Sequence, residues 1–347
     1  MAAIRSFSII PYSIPMIRPF TVNGEVMANR DGVIFEVYDQ DGHCGRGEAA
    51  PLPGVSPEPL KKVIHQLKCL ELDWAGRSLP DKSNIICVRL QKDLDRTLLA
   101  PSVVFAFESA ILSLAANALN VSLVEFLGGL LPKAVRSACL IQGDVNSVRS
   151  SGALYAAEGY TVFKLKVGSK NIPLDVSKVE ALREVIGFEG RIRLDANGSW
   201  PLSEAVSFAG AIGKSQIDFI EEPCADENEN EEFFRRTDMN WAMEAHATRR
   251  PLVDWEGVQG LKAVVVKPML YGGVSGFAEV KDIIGRIGAD MIVSSCFESR
   301  AGLKILANLA AMTNAPCGLG TADWLDAASS SLLGKGGIIL PSDYANT

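Results

Sequence analysis

Residues 161–168 read TVFKLKVG, an apolar run that carries two lysines, Lys164 and Lys166, two positions apart. Val162, Phe163, Leu165 and Val167 favour extended backbone and Gly168 closes the run, so the stretch reads as a β-strand. Side chains on a strand alternate between its faces. Both lysines therefore point one way and Leu165 the other. Taken alone, this is the pattern of an edge strand whose solvated lysines block unwanted pairing. The rest of the chain supplies a different explanation.

From about residue 137 one unit recurs: a short β-rich run, a polar or small-residue break, then a segment of mostly helical periodicity. Eight runs fit the strand half of the unit: SACLIQG (137–143), VFKLKVG (162–168), RIRLDAN (191–197), IDFIEEP (217–223), NWAMEA (240–245), AVVVKP (263–268), DMIVSS (290–295) and PCGLGT (316–321). Their ends lie about 25 residues apart, the spacing of strand–helix units in a parallel α/β barrel. Between them, Val179, Leu182 and Ile186 predict a helix closing at Gly187, and Phe277, Val280 and Ile284 one closing at Gly285. The segment HATRRPLVDWEG (246–257) reads as short or irregular. Residues 1–100 look different. IRPFTVNG (17–24), GVIFEVYDQDG (32–42) and HCGRGEAAPLP (43–53) predict antiparallel strands with Asn-Gly and Asp-Gly turns, followed by a helix with Leu60, Val63, Ile64 and Leu67 on one face. The expected organisation is an α+β domain over 1–100, a barrel over 101–324 with the boundary near Pro101, and a Gly-rich tail, 325–347, that returns to the first domain.

The 347 residues are 48% hydrophobic and 22% charged, the profile of a globular chain with a sizeable core. A formal net charge of −7 argues against nucleic acid and anionic membranes as partners. No apolar run reads as long enough to cross a bilayer, and MAAIRSFSIIPYSIPM makes a poor signal peptide. Seven irregularly spaced cysteines without a CxxC fit reduced thiols in a cytoplasmic enzyme. With only three histidines (His43, His65 and His246), histidine-based chemistry has few candidates.

In a parallel barrel the C-terminal strand ends carry the chemistry. Here those ends hold, in order, Lys164 and Lys166, Asp195, Glu221, Glu244 and Lys267. Each carboxylate alone is as readily a helix cap or a lysine's partner. Five consecutive charged strand ends point to a site. Three converging carboxylates repel one another unless a cation joins them. An all-oxygen set suits Mg²⁺, whereas zinc recruits Cys or His. A lysine desolvated beside another cation and a metal has its pKa pulled down and becomes a base near neutrality. Lys166 and Lys267, four strands apart in an eight-strand ring, face each other across the mouth.

With its KxK strand and its lysine on the sixth strand, the chain resembles the enolase superfamily, in particular the muconate lactonising enzyme subgroup. Within it, GEAAPLPGVS (47–56), PSVVFAFESAILSL (101–114), RLDANGSW, FIEEPC, VVVKPMLYGG and SSCFES resemble the o-succinylbenzoate synthase family of menaquinone biosynthesis. The resemblance covers nearly the whole chain. It implies a modified (β/α)₇β barrel under an α+β capping domain, and Mg²⁺, replaceable by Mn²⁺, on Asp195, Glu221 and Glu244. It also implies a dehydratase that converts 2-succinyl-6-hydroxy-2,4-cyclohexadiene-1-carboxylate to o-succinylbenzoate through a metal-stabilised ene-diolate. Lys166 takes the α-proton in that reading, Lys164 lowers its pKa, and Lys267 stabilises charge on the opposite face. Two positions depart from the family: Glu244 in AMEAHAT stands where an Asp is usual, and GLGT stands where GLDT is common. Glu222 and Asp238 are the other acids considered for the third ligand.

The substrate, a small carboxylate, is expected to meet Asn197, Arg193, Ser294, Ser295, Gly318 and Leu319 at the strand ends, and Leu52 and Gly54 in the cap loop. Asn197 serves equally as an Asx-turn, and Arg193 as a neighbour of the ligands. The break after Ser295 offers backbone N–H groups to an anion, and Cys296 and His246 read as bystanders. The alternatives are a racemase of N-acylamino acids, a dipeptide epimerase or a cycloisomerase of the same subgroup, and a non-catalytic scaffold barrel. An epimerase is disfavoured by Gly320 and Ala322, which stand where an acidic pair is expected. A scaffold is disfavoured by clustered charges that cost desolvation. The oligomeric state is left open.

Overall fold

Three antiparallel strands open the chain: β1 (Ile4–Val22), β2 (Glu25–Asp39) and β3 (Cys44–Ala49), hydrogen-bonded in that order. The computed structural model describes residues 3–22, 25–326 and 332–345, so the expected Asn23-Gly24 turn lies outside the described residues. β1 begins well before the stretch that predicted it. Phe7 pairs with Val37, Ile9 with Phe35 and Pro11 with Val33. Prolines 11 and 15 are tolerated because β1 is an edge strand of this sheet.

Helices α1 (Leu60–Trp74), α2 (Ser83–Asp93) and α3 (Pro101–Ala118) complete the cap. In α3 every residue from Ser102 to Ala116 is buried. The helix packs so closely on β3 that a Cβ added at Gly47 would land on the Ala106 backbone. The boundary expected at Pro101 therefore moves beyond α3, which packs as part of the cap. α3 also corrects the expectation about membranes. It is long and apolar enough to span one, at a mean hydropathy of 1.3, but 83% of it is buried inside the protein.

After α4 (Leu123–Phe126) and β4 (Val135–Arg136), strand and helix alternate: β5 (Cys139–Ile141), α5 (Val145–Glu158), β6 (Val162–Lys166), α6 (Ile172–Ile186), β7 (Arg191–Asp195), α7 (Leu202–Ile212), β8 (Ile217–Glu221), α8 (Asn230–Thr237), β9 (Trp241–Glu244), β10 (Leu261–Val266), α9 (Pro268–Tyr271), α10 (Phe277–Ile287), β11 (Asp290–Val293) and α11 (Arg300–Ala310). β5 to β11 form one parallel sheet in sequence order. The eighth run, PCGLGT, contributes only Cys317, bridged to Ser137, and Gly318, bridged to Ser294. These two residues close the ring, through Ala138 N–H to Cys317 O at 2.9 Å and Gly318 N–H to Val293 O at 2.8 Å. The modified (β/α)₇β barrel is thereby complete.

α6 ends at Gly187, but α10 runs past Gly285 and stops where Gly288 takes φ 82°. Only a 3₁₀ turn, Leu252–Trp255, follows β9, matching the weak periodicity there. The tail departs from expectation. Leu325 and Asp326 pair with Met16 and Pro15 of the cap, but β12 (Ile338–Ile339) joins β4 beside the barrel, and the helix Pro341–Tyr344 packs on α11. Ile339 and Tyr344 are fully buried there, which is why the tail stays on the barrel. All seven cysteines are free.

Candidate active site

The strand register sets the site. Lys166 lies beside Asp195, and Asp195 beside Glu221, on neighbouring parallel strands. Glu244 ends β9, and Lys267 is the residue after β10. One oxygen from each of Asp195, Glu221 and Glu244 can be drawn within 4.8 Å of the others, and all three residues are buried. Lys164 Nζ donates to both oxygens of Glu221 at 2.7 and 2.8 Å and lies 2.8 Å from Asp195 Oδ2. Lys166 Nζ donates to the same Asp195 oxygen and to Asn197 Oδ1, both at 2.7 Å. Lys267 pairs with Glu244.

Charge in this cluster is not evenly matched. Burial alone would push the Asp195 carboxyl up, but Lys164 and Lys166 overcome it and hold the group well below the usual range. Burial likewise works against Glu244, yet Lys267 and His246 bring it down to about 2. Lys164 has one charge for two carboxylates, so Glu221 is the weaker claimant. Burial and the charge of Asp195 push Glu221 up to about 8, and burial with Glu244 pushes the neighbouring Glu222 up to about 7. Acids this reluctant to ionise show that the lysines do not supply enough positive charge. A divalent cation fits the deficit and the hard-oxygen donor set. With the carboxylates alone around them, Lys164 and Lys267 stay charged. Burial disfavours their charged forms, but Asp195 and Glu221 around Lys164, and Glu244 against Lys267, raise both ammonium groups above their ordinary value.

A cavity of about 460 Å³ opens over the cluster, lined among others by Lys164, Lys166, Asp195, Glu244 and Lys267. Asn197, Ser294, Ser295, Gly318 and Leu52 also line it, with Phe20 and Phe297 as aromatic walls. Glu221 sits behind Lys164, 1% exposed. Asn197 adopts φ 48°, and its N–H reaches Asp195 Oδ1 at 3.2 Å while its side chain accepts from Lys166, so it is both turn and site residue.

Arg193, Leu319 and Gly54 are not among the cavity's lining residues. Arg193 donates to Pro316 O at 2.7 Å and reaches toward Asp218, because its strand position lies one layer below the mouth. Leu319 is fully buried, and Gly54 occupies the turn of the cap loop at φ 75°. The anion site expected after Ser295 is already filled. Glu298 accepts from Cys296 N–H, and Glu48 of β3 accepts from the N–H groups of Ser299 and Gly302. Among the other acids considered, Asp238 pairs with Lys214 and is largely exposed, while Glu222 lines the cavity.

Sequence reasoning missed Phe20, Gln142, Leu270, Phe297 and Thr321, which line the cavity from β1, from α9, from a 3₁₀ turn and from loops with no charge to flag them. His246, read as a bystander, is a wall residue only 15% exposed in its side chain, 3.3 Å from Glu244. Its place two residues past a ligand candidate was the available signal.

Residues 4–114 match the family model described as MenC, N-terminal domain, and residues 147–333 that described as Enolase C-terminal domain-like. An o-succinylbenzoate synthase of Haemophilus influenzae is 31% identical over 331 residues, 93% of this chain and 91% of that one. Another from Yersinia pseudotuberculosis is 31% identical over 328 residues, covering 93% and 92%. Among solved structures, the dipeptide epimerase of Enterococcus faecalis, complexed with Mg and a dipeptide, superposes at TM-score 0.86 with 20% identity over 98% of this chain and 97% of that chain. The muconate lactonizing enzyme of Pseudomonas fluorescens gives 0.85 with 18% identity over 99% and 95%. The structures share the fold, and the sequences narrow it: the chain belongs to the o-succinylbenzoate synthase family, carbon–oxygen lyases of the enolase superfamily.

Proposed function

We propose that this chain is a Mg²⁺-dependent dehydratase that forms o-succinylbenzoate from 2-succinyl-6-hydroxy-2,4-cyclohexadiene-1-carboxylate, as in menaquinone biosynthesis. The observation that carries the reading is one cavity lined by Lys166 and Lys267 from strands on opposite sides, over three buried carboxylates. Asp195, Glu221 and Glu244 would hold the divalent cation, Mg²⁺ or Mn²⁺, which when bound would supply positive charge for the substrate carboxylate. The chain's own groups do the rest. Lys166, as the neutral amine, takes the proton from the carbon bearing the carboxylate, and the C–H electron pair moves into that carboxylate. The C–O bond then breaks, Lys166 returns the proton to the departing hydroxide as water, and the ring becomes aromatic. Asp195 and Asn197 aim Lys166 through its two hydrogen bonds. Lys267 contributes positive charge on the other face.

A second reading, racemisation of N-acylamino acids, draws support from the same pair of lysines, since a racemase needs a proton carrier on each face. A dipeptide epimerase is disfavoured. Gly320 and Ala322 offer no carboxylate, and Asp323 is turned toward Tyr155. The test is turnover of the dehydratase substrate by the purified protein, with Mg²⁺ and in excess chelator. Full activity in chelator, or none with Mg²⁺, defeats the proposal.

A further inference from the structure

Arg30, midway along β2, is fully buried, and its five N–H donors meet five backbone carbonyls. Nε reaches Phe297 O at 3.1 Å, and Nη2 reaches Cys296 O at 3.1 Å and Ala50 O. Nη1 reaches Pro51 O at 2.7 Å and Asp31 O at 3.3 Å. One guanidinium thus joins the start of the cap loop to the barrel loop after β11. Both loops line the cavity, through Leu52 and Val55 on one side and Cys296 and Phe297 on the other.

The barrel loop has a reason to need holding. Phe297 adopts φ 63°, a conformation a bulky L-residue takes only when its surroundings impose it. Arg30 binds the carbonyls of Cys296 and Phe297, and Glu298 binds the Cys296 N–H at 2.6 Å. The ring so directed meets Phe20, another wall residue, edge-on at 4.6 Å between centroids. Three sections of the apolar wall, Leu52, Phe20 and Phe297, therefore depend on a cation that touches no reacting atom.

We infer that Arg30 is a positioning residue that sets substrate affinity: its five hydrogen bonds lock the cap loop onto the strained Phe297 turn and fix the wall against which the substrate's ring and side chain pack. The kinetic arm of the test rests on the dehydratase reading; the exchange arm does not. Lysine retains the charge at this position but brings three donors and no planar fork. Arg30→Lys should raise KM about tenfold while kcat stays within about threefold, because the wall contributes binding rather than chemistry. Amide hydrogen exchange should quicken at residues 52–56 and 296–299 and stay unchanged in β10. Phe297→Gly relieves the backbone strain and removes the ring, so it should raise KM alike, and combining it with Arg30→Lys should add less than about twofold. Should Arg30→Lys not fold, an unchanged KM in Phe297→Gly overturns the inference. Unchanged exchange in both loops, a fall in kcat at constant KM, or multiplying effects in the double variant also overturn it. Wild-type protein inactive on this substrate defeats the dehydratase reading instead, and the exchange data then decide the role of Arg30.

Discussion

Replacing Lys164 with methionine should expose the charge deficit of the acid cluster directly. The ammonium lies 2.7 to 2.8 Å from oxygens of Asp195 and Glu221, which are 0% and 1% exposed. Removing one partner of a buried ion pair costs about 3–5 kcal/mol. Asp195 keeps Lys166, and Glu221, already pushed up to about 8, escapes part of the cost by taking a proton at neutral pH. The loss should therefore fall near the lower end, about 3 kcal/mol, or about 4 °C in Tm for a chain of this size. In millimolar Mg²⁺ the cation supplies the missing charge, and the gap between variant and wild type should shrink to less than about 2 °C. The assay is a thermal melt of both proteins at pH 7, in EDTA and in Mg²⁺. An equal gap under both conditions would show that Lys164 and a cation do not serve the same carboxylates, and no gap in EDTA would refute the electrostatic account altogether.

Other expectations follow from the same geometry. Lys267→Arg keeps the charge but is a poor acid–base group, so it should retain measurable dehydration and lose any racemisation, while Lys267→Ala loses both. If both variants are equally inactive and Lys166→Ala still turns over, the two lysines have exchanged roles. Glu244→Asp should keep activity and Mg²⁺ affinity within about tenfold, whereas Glu244→Ala should lose more than about a hundredfold in each, measured by turnover and calorimetry. Burial and the charge of Glu48 push Glu298 up to about 7, so the folded protein holds that proton more tightly than the unfolded chain. Its share of the stability should then be lost as pH rises from about 4.5 to 7, by at most about 3 kcal/mol, while Glu221 and Glu222 lose theirs in the same direction up to about pH 8. Glu298→Gln should lessen that slope in urea titrations, and an unaltered slope would place its titrating groups elsewhere.

The barrel and its charged strand ends were legible in the sequence because both obey short periods. Alternation within TVFKLKVG put Lys164 and Lys166 on one face, and the repeating unit put Asp195, Glu221, Glu244 and Lys267 at the same height. Arg193 shows the limit of that reasoning. It shares a face with Asp195, but two residues along a strand is a full layer of the barrel, and its guanidinium pairs downward with Pro316 and Asp218. The anion site misread after Ser295 was hidden for another reason. Its occupant, Glu48, lies on β3 of the cap and reaches Ser299 and Gly302 only after the two domains dock. Arg30 and the walls Phe20 and Phe297 were invisible on the same grounds, since no local pattern encodes a contact between β2 and a loop at the far end of the chain. The tail was misassigned because Ile338 and Ile339 pair with a two-residue strand too short to signal itself.

The closure of the ring by Cys317 and Gly318 has a consequence for synthesis on the ribosome. Every charged strand end of the site emerges before residue 268, yet the ring closes only when Cys317 and Gly318, which bridge β11 to Ser137, have emerged, and β12, which covers β4, emerges later still. The cap waits on the same region, since Met16 finds its partner in Leu325. A nascent chain short of these residues carries its buried lysines and carboxylates on an open, curled sheet with two unpaired edges. Such a species is prone to sheet-edge association, and closing it spends loop entropy over the 180 residues from Ser137 to Cys317. Cells with limiting chaperone capacity should therefore lose this protein chiefly as truncated or slowly translated chains, and codons that delay residues 300–340 should lower its soluble yield more than equal delays in the cap.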